Sequence, residues 1–449
     1  MKGTPEPIRY RADAVLPSDG TGRVFRPGEV EVVGDTVTYV GPPRDREDAA
    51  GGTPPREVRV TGLLLPGFVN VHCHSPMILF RGTGENLPLL RWLEEVLWPR
   101  EARLTCDDVF WGMTLAAAEF LSRGVTTTCE MYFFEDAVAD AAMAAGSRAV
   151  ITPAVIPLIP AGDDASSRDD WWAKRLDEVI DFHARRHGED GRLDVGFGPH
   201  AAYTVPLPVL ADVAAAAQQL DAILQIHVAE TESEVASYAS ANGRSVPEAL
   251  ADIGALDGRV IAAHSIWLSD SDITLYRRHD VGVAHCPRSN AKLASGVAPL
   301  TRMMAEGIRV GLGTDGPASN NGLDMWEEMR FAALVARIRD GDAAAMPAAS
   351  ALDLATRNGG AVLGRPDLGT LAPGSRADMV LVDLEDSVLG PLHHDAQLVE
   401  HVVWSGSSRL VTDVWVAGRQ VVADGHCLTV DVDEARRQVE ARSRRLLVG

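Results

Sequence analysis

Along the middle of the chain, short runs of β-branched and other apolar residues alternate with longer stretches whose apolar positions recur at helical spacing. Most of the short runs are bounded by Gly, Pro or Asp, and they predict eight strands, at residues 68–74, 125–131, 149–155, 193–200, 222–229, 260–265, 281–286 and 308–315. Between the first two, Thr105 with Asp108 makes a helix cap, and Phe110, Met113, Leu115, Ala117 and Leu121 make an apolar stripe that Gly124 ends. Residues 207–220 and 324–339 predict further helices. Eight βα units over about 250 residues fit a (β/α)8 TIM barrel. A doubly wound open sheet would read similarly; the strand count favours the barrel.

The two ends follow a different rhythm. Residues 30–33 and 36–40 flank Gly34-Asp35, a hairpin signal, and 413–416 and 420–423 flank Ala417-Gly418-Arg419. Residues 377–383 predict a buried strand and 430–447 a last helix. Two β-rich ends around one βα core predict that the termini meet in a smaller β domain, residues 1–66 plus 367–449, with the barrel, 67–366, inserted in it.

Composition narrows the class. The 449 residues are 46% hydrophobic and 23% charged, enough for a large core. Acids outnumber bases 63 to 42, a net charge of −21, which argues against nucleic-acid polymers and anionic lipid. Arg436, Arg437, Arg442, Arg444 and Arg445 are interspersed with acids and apolar residues and read as a solvated helix face. The five cysteines are scattered, without a C-x-x-C, which points to a reducing compartment. The start MKGTPEPIRYRAD has no leader-like apolar segment, and no run is long enough for a membrane span. The expectation is a cytoplasmic protein.

Candidate chemistry sits at the predicted strand ends. His72-Cys73-His74 closes the first strand, and alternation aims both imidazoles to one side. His227-Val228-Ala229-Glu230 ends the fifth, His264 the sixth, and Gly313-Thr314-Asp315-Gly316 the eighth. Singly, a strand-end His is more often a hydrogen-bonded residue, and Asp-Gly is a turn. Together they put imidazoles and a carboxylate at the C-terminal mouth of a barrel, where a catalytic divalent metal sits, most often zinc.

This arrangement resembles the amidohydrolase superfamily along nearly the whole chain. The opening stretch is Leu65-Pro66-Gly67-Phe68-Val69-Asn70-Val71-His72-Cys73-His74 and the return is Gly369-Thr370-Leu371-Ala372-Pro373-Gly374-Ser375-Arg376-Ala377-Asp378-Met379-Val380. Further stretches are similar to the branch that deaminates 5′-methylthioadenosine and S-adenosylhomocysteine, with chlorohydrolases close by. They include His74-Ser75-Pro76-Met77, Trp92-Leu93, Trp98-Pro99 with Glu101, Glu130-Met131-Tyr132-Phe133, Gly198-Pro199-His200 and His285-Cys286-Pro287 with Ser289-Asn290.

For the fold, the resemblance implies a distorted (β/α)8 TIM barrel inserted in a β-sandwich domain built from both chain ends. For the site, it implies His72, His74, His227 and Asp315 as ligands of one divalent metal per subunit, with zinc expected and iron or manganese accepted by the same ligands. Glu230, one helical turn past His227, corresponds to the proton shuttle, and Asp315 to the group that takes a proton from water. His264, protonated or polarised, would steer the water and the developing charge. Trp92, Glu101 and His200 correspond to nucleoside contacts, with Glu101 accepting from ribose hydroxyls.

The implied reaction is hydrolytic deamination of an adenine nucleoside at C6 with release of ammonia. Arg168 or Arg175 would meet an amino-acid tail at the 5′ end, but Pro153 stands where the branch uses an arginine and residues 156–160 are unusually apolar, which favours an uncharged 5′ group. Two other readings remain: an aminohydrolase or chlorohydrolase acting on a ribose-free ring such as guanine, a pterin or an s-triazine, and a scaffold without activity. The partner is a small molecule, with no nucleic acid or membrane, and a homo-oligomer fits barrels of this kind. Trp171-Trp172 reads as rim packing, Cys286 as a buried strand residue, Met325 and Met329 as core, and His393, His394 and His401 as surface or interface.

Overall fold

The computed structural model describes residues 6–45, 55–157 and 168–447, with the backbone alone at 168–170. Four strands open the chain: β1 (Ile8–Val15), β2 (Gly28–Val33), β3 (Thr36–Gly41) and β4 (Arg56–Pro66). Ten follow in the middle: β5 (Phe68–Cys73), β6 (Val125–Glu130), β7 (Arg148–Ile151), β8 (Ala154–Val155), β9 (Leu193–Val195), β10 (Gly198–Pro199), β11 (Ile223–Val228), β12 (Arg259–His264), β13 (Gly282–His285) and β14 (Val310–Leu312). Four close it: β15 (Met379–Val382), β16 (Val411–Val416), β17 (Arg419–Ala423) and β18 (His426–Cys427).

The central strands form the expected barrel, and its distortion has local causes. β5-β6-β7-β9 and β11-β12-β13-β14 are each parallel and four-stranded. Single bridges close the seams, Phe197 to Leu224 and Ala201 to His227 on one side, Cys73 to Asp315 on the other. The predicted third and fourth strands are each split. Pro153 has no N–H to give the ladder, so β7 stops and β8 leaves it to pair with β10. Gly198 permits that detour, because a Cβ there would lie 2.4 Å from the Thr152 carbonyl oxygen. Val69, Val71, Cys129, Val150, Ile261 and Ala284, from five strands, pack as one apolar cluster that plugs the barrel below the site.

The two chain ends meet in one continuous sheet ordered β18-β17-β16-β15-β4-β1-β2-β3, so the strands expected of a sandwich share a single hydrogen-bond ladder. Both hairpins form as expected, Val33 against Thr36 and Val416 against Arg419, the second through a two-residue Ala417-Gly418 turn with both φ positive. The tips abut: a Cβ on Gly418 would lie 2.2 Å from the Gly34 carbonyl oxygen. A fully buried pair fastens sheet to barrel, with Arg148 Nε and Nη2 at 2.9 and 3.1 Å from Asp378. The Thr105–Asp108 capping box starts helix Cys106–Ser122. The last helix, Val432–Leu447, lies on it through Arg442 and Arg445, which bind Asp107 and Asp108. Trp172 and Met325 are buried, as expected for packing residues.

Candidate active site

The residues expected from the strand ends converge at one mouth of the barrel. His72 is in β5, His74 one residue past it, His227 in β11, His264 closes β12, and Asp315 follows β14. Asp315 Oδ1 lies 3.6 Å from His72 Nε2 and 3.3 Å from His74 Nε2. His74 Nε2 and His227 Nε2 are 3.3 Å apart. His264 completes a second overlapping group, its ligand atom within 4.8 Å of those of His72 and His227. His264 and Asp315 have φ of +69° and +58°, a left-handed backbone that non-glycine residues adopt where the surroundings impose it.

The hydrogen-bond partners decide which nitrogen each ring presents. His74 Nδ1 donates to the Met131 carbonyl at 2.6 Å, and His227 Nδ1 to the His200 carbonyl at 2.8 Å. A carbonyl only accepts, so each neutral ring turns a bare Nε2 lone pair inward. Two such lone pairs 3.3 Å apart repel one another, and both His72 nitrogens are buried without a hydrogen-bond partner. A cation between them resolves both problems, and three imidazoles with one carboxylate suit a divalent ion. Asp315 is held from behind: Oδ2 accepts from Ser289 Oγ at 2.5 Å and Ser319 Oγ at 3.0 Å.

Burial sets the charge states. It lowers His72 to about 4 and His227 well below its usual value. For His74, burial works the same way, but Asp315 outweighs it and the pKa rises. Burial would raise Asp315, yet His72 and His74 hold it well below the carboxylate range. Glu230 is buried, with Asp315 and Glu234 nearby, and its carboxyl is pushed well above its usual value. Glu230 was expected one helical turn past His227. Instead it follows the extended end of β11 and Ala229 at φ +53°, before helix Glu232–Asn242 begins. Its backbone N–H is held by Glu234 Oε2 at 2.9 Å, and its Oε2 lies 3.7 Å from His264 Nε2. His264 donates from Nδ1 to Asn290 Oδ1 at 2.8 Å, and burial lowers its pKa. The lowered pKa favours the neutral ring, and with Nδ1 donating to Asn290 that ring turns Nε2 toward Glu230 as an acceptor.

A cavity of about 610 Å³ opens beside this cluster, and Trp92, Glu101 and His200 are among the residues that line it. Trp92 Nε1 donates to the Thr83 carbonyl at 3.2 Å. Glu101 accepts from Tyr132 Oη at 2.9 Å, and burial raises its pKa to about 7. His200 Nδ1 lies 2.9 Å from Thr204 Oγ1, and burial lowers its pKa to about 3. A π-helical turn, Leu93–Leu97, joins Leu89–Trp92 to Trp98–Glu101, and Trp92, Leu93, Leu97, Trp98 and Glu101 all line the cavity. Arg168 opens helix Arg168–Arg186, but its side chain lies outside the described residues, as do residues 158–160 of the apolar rim. Arg175 is committed elsewhere, at 2.8 and 3.0 Å from Glu135 and 3.2 Å from the Ala154 carbonyl.

Sequence reasoning assigned no role to Ser289, Ser319, Asn290, Tyr132 or Glu234. Only the capping box Thr231–Glu234 marked Glu234 locally.

Three comparisons bear on the chain. The profile of the amidohydrolase family matches residues 63–421. A 5-methylthioadenosine/S-adenosylhomocysteine deaminase of Pelotomaculum thermopropionicum is 38% identical over 442 residues, 98% of this chain and 99% of that one. A 5′-deoxyadenosine deaminase of Methanopyrus kandleri is 39% identical over 372 residues, 83% and 84% of the two chains. The crystal structure of an adenosine deaminase from Xanthomonas campestris with bound zinc superposes with a TM-score of 0.89 at 34% identity, covering 99% of both.

Proposed function

This chain belongs to the amidohydrolase family, and from that premise we propose that it hydrolytically deaminates an adenine nucleoside at C6, giving the inosine analogue and ammonia. One observation carries the reading: a single cavity has the His/Asp cluster with Glu230 and His264 in its wall, and also the buried Glu101. A ribose diol gives Glu101 donors beyond Tyr132, whereas a ribose-free ring leaves that buried carboxyl with the tyrosine alone.

His72, His74, His227 and Asp315 would hold one divalent ion, zinc by the chemistry of the donor set. Such an ion supplies Lewis acidity that lets a water lose its proton near neutral pH. Glu230, protonated, delivers its proton to N1 as the oxygen adds to C6. Asp315 takes the water's proton and passes it to the departing amine, and the C6–N bond breaks. The hydroxyl proton left on C6 returns to Glu230, which restores the acid. His264, neutral, accepts from the water and holds it facing the ring.

The 5′ end of the substrate is read by an apolar patch. Trp98, Met131, Phe133, Ala154 and Ile156 pack together on the cavity wall that also carries Glu101 and Tyr132. Among the described residues of this wall none pairs a carboxylate or an ammonium, and Arg175 is tied to Glu135. The patch suits an uncharged methylthio or methyl group. Ammonia release measured with 5′-methylthioadenosine, 5′-deoxyadenosine, adenosine, S-adenosylhomocysteine, guanine and a chlorotriazine tests both parts. The expectation is turnover of the nucleosides, with kcat/KM for the uncharged 5′ groups exceeding S-adenosylhomocysteine by about tenfold or more. Turnover of the ribose-free rings alone would refute the nucleoside reading.

A further inference from the structure

We propose that Glu130 is the positioning residue of the metal site: its carboxylate, buried behind His74, holds that ligand in place and adds negative charge behind the cation. The proposal rests on the metal reading above. Glu130 ends β6 and is fully buried. Its Oε2 accepts from the Ser75 N–H at 3.0 Å, and its Oε1 accepts from the Ser75 hydroxyl and from Cys73 Sγ at 3.1 Å. The residues on both sides of His74 therefore hang from one carboxylate. The His74 ring itself hangs from the carbonyl of the next residue, Met131.

The ladder explains why such an anchor is needed. Asn70 pairs with Thr128, but Cys73 pairs with Glu130, so β5 advances three residues while β6 advances two. That bulge falls at Val71-His72 and takes the ligand-bearing end of β5 out of regular pairing. Beyond it, Ser75 starts a 3-10 helix whose first N–H has no partner within the helix, and Glu130 supplies one.

Glu130 is an expensive residue for packing alone. Among the described residues no lysine or arginine pairs with it, and a carboxylate buried on neutral donors costs stability that an apolar side chain would not. Its charge has a use toward a divalent cation. Three neutral imidazoles and Asp315 leave such an ion with one excess positive charge, and Glu130 offsets it.

The test compares the wild-type chain with Glu130→Gln, both stripped by a chelator. Zinc affinity is read by competition with a chromogenic chelator, ligand geometry by the visible spectrum after cobalt loading, and apoprotein stability by thermal melting. The expected result is a zinc Kd raised about 10- to 100-fold and an altered cobalt spectrum, with an apoprotein that melts at or above the wild-type temperature. Should Glu130→Gln fail to fold, Ser75→Ala removes one donor and is expected to weaken zinc about tenfold or less, again with a changed spectrum. Wild-type affinity and an unchanged spectrum overturn the proposal, as does an affinity loss seen only with a destabilised apoprotein. A wild-type chain that binds neither ion would overturn the metal reading itself, and this proposal with it.

Discussion

Replacing Glu230 by Gln isolates the proton-transfer step from everything else the site does. The Glu230 carboxyl is buried, its pKa lies well above the usual range, and its Oε2 lies 3.7 Å from His264 Nε2. The raised pKa favours the uncharged acid, so a neutral amide of the same shape changes the field around the His/Asp cluster little. The Glu230 backbone N–H still meets Glu234 Oε2. What the variant loses is the proton, and a positioned acid contributes about 10²- to 10⁴-fold. At 1.36 kcal/mol per tenfold, that is about 2.7–5.5 kcal/mol of barrier. The assay is the ultraviolet change as the adenine ring becomes hypoxanthine, run beside metal analysis of the same preparation. The expected result is a normal metal content, a KM within a few-fold of wild type and a kcat lower by about 10² or more. A variant that loses its metal would make Glu230 a ligand, and one within tenfold of wild type would remove it from the proton pathway.

Glu101 should make nucleoside turnover pH-dependent. Burial raises its pKa to about 7, so it is protonated below that pH and loses acceptor capacity. The kcat/KM for nucleosides is expected to fall as pH drops through about 7, and Glu101→Gln should flatten that limb, as a pH series on both proteins would show. Glu101→Ala should weaken nucleosides far more than free bases; an equal effect on both would contradict the ribose role. Chelation should abolish activity, and zinc, iron or manganese should restore it, measured as ammonia release after dialysis. Asp378→Asn leaves the Arg148 guanidinium buried beside a neutral partner, an expected loss of about 3–5 kcal/mol that scanning calorimetry would show as a lower Tm. An unchanged Tm would mean that the pair does not fasten sheet to barrel.

How far the site could be read in the chain depended on how local each signal was. His72, His74, His227, His264 and Asp315 are legible because strands place side chains with period two and end at Gly, Pro or Asp, so a polar residue at the tip of an apolar run stands out. Glu101 and Trp92 needed the family resemblance, since their shared face depends on a π-helical turn that no local periodicity announces. Ser289, Ser319 and Glu130 stayed invisible as partners. They reach Asp315, Cys73 and Ser75 only after the barrel closes, across 26 residues for Ser289 and 57 for Cys73. A serine in a short helix or a turn, as Ser289 and Ser319 are, has no local mark that separates it from a solvated one.

The chain by itself determined the alternation of strands and helices, the caps and hairpin turns, and the histidines and aspartate that meet at the barrel mouth. All of these follow from steric and hydrogen-bonding preferences acting within a few residues. Tertiary structure decided the rest. It joined both chain ends in one sheet and placed Ala229 in a left-handed turn that aims Glu230 at His264. It also set protonation. Glu230 and Glu101 are ordinary carboxyls in the sequence, and only the exclusion of water around them in the closed barrel makes one an acid and tunes the other to about 7.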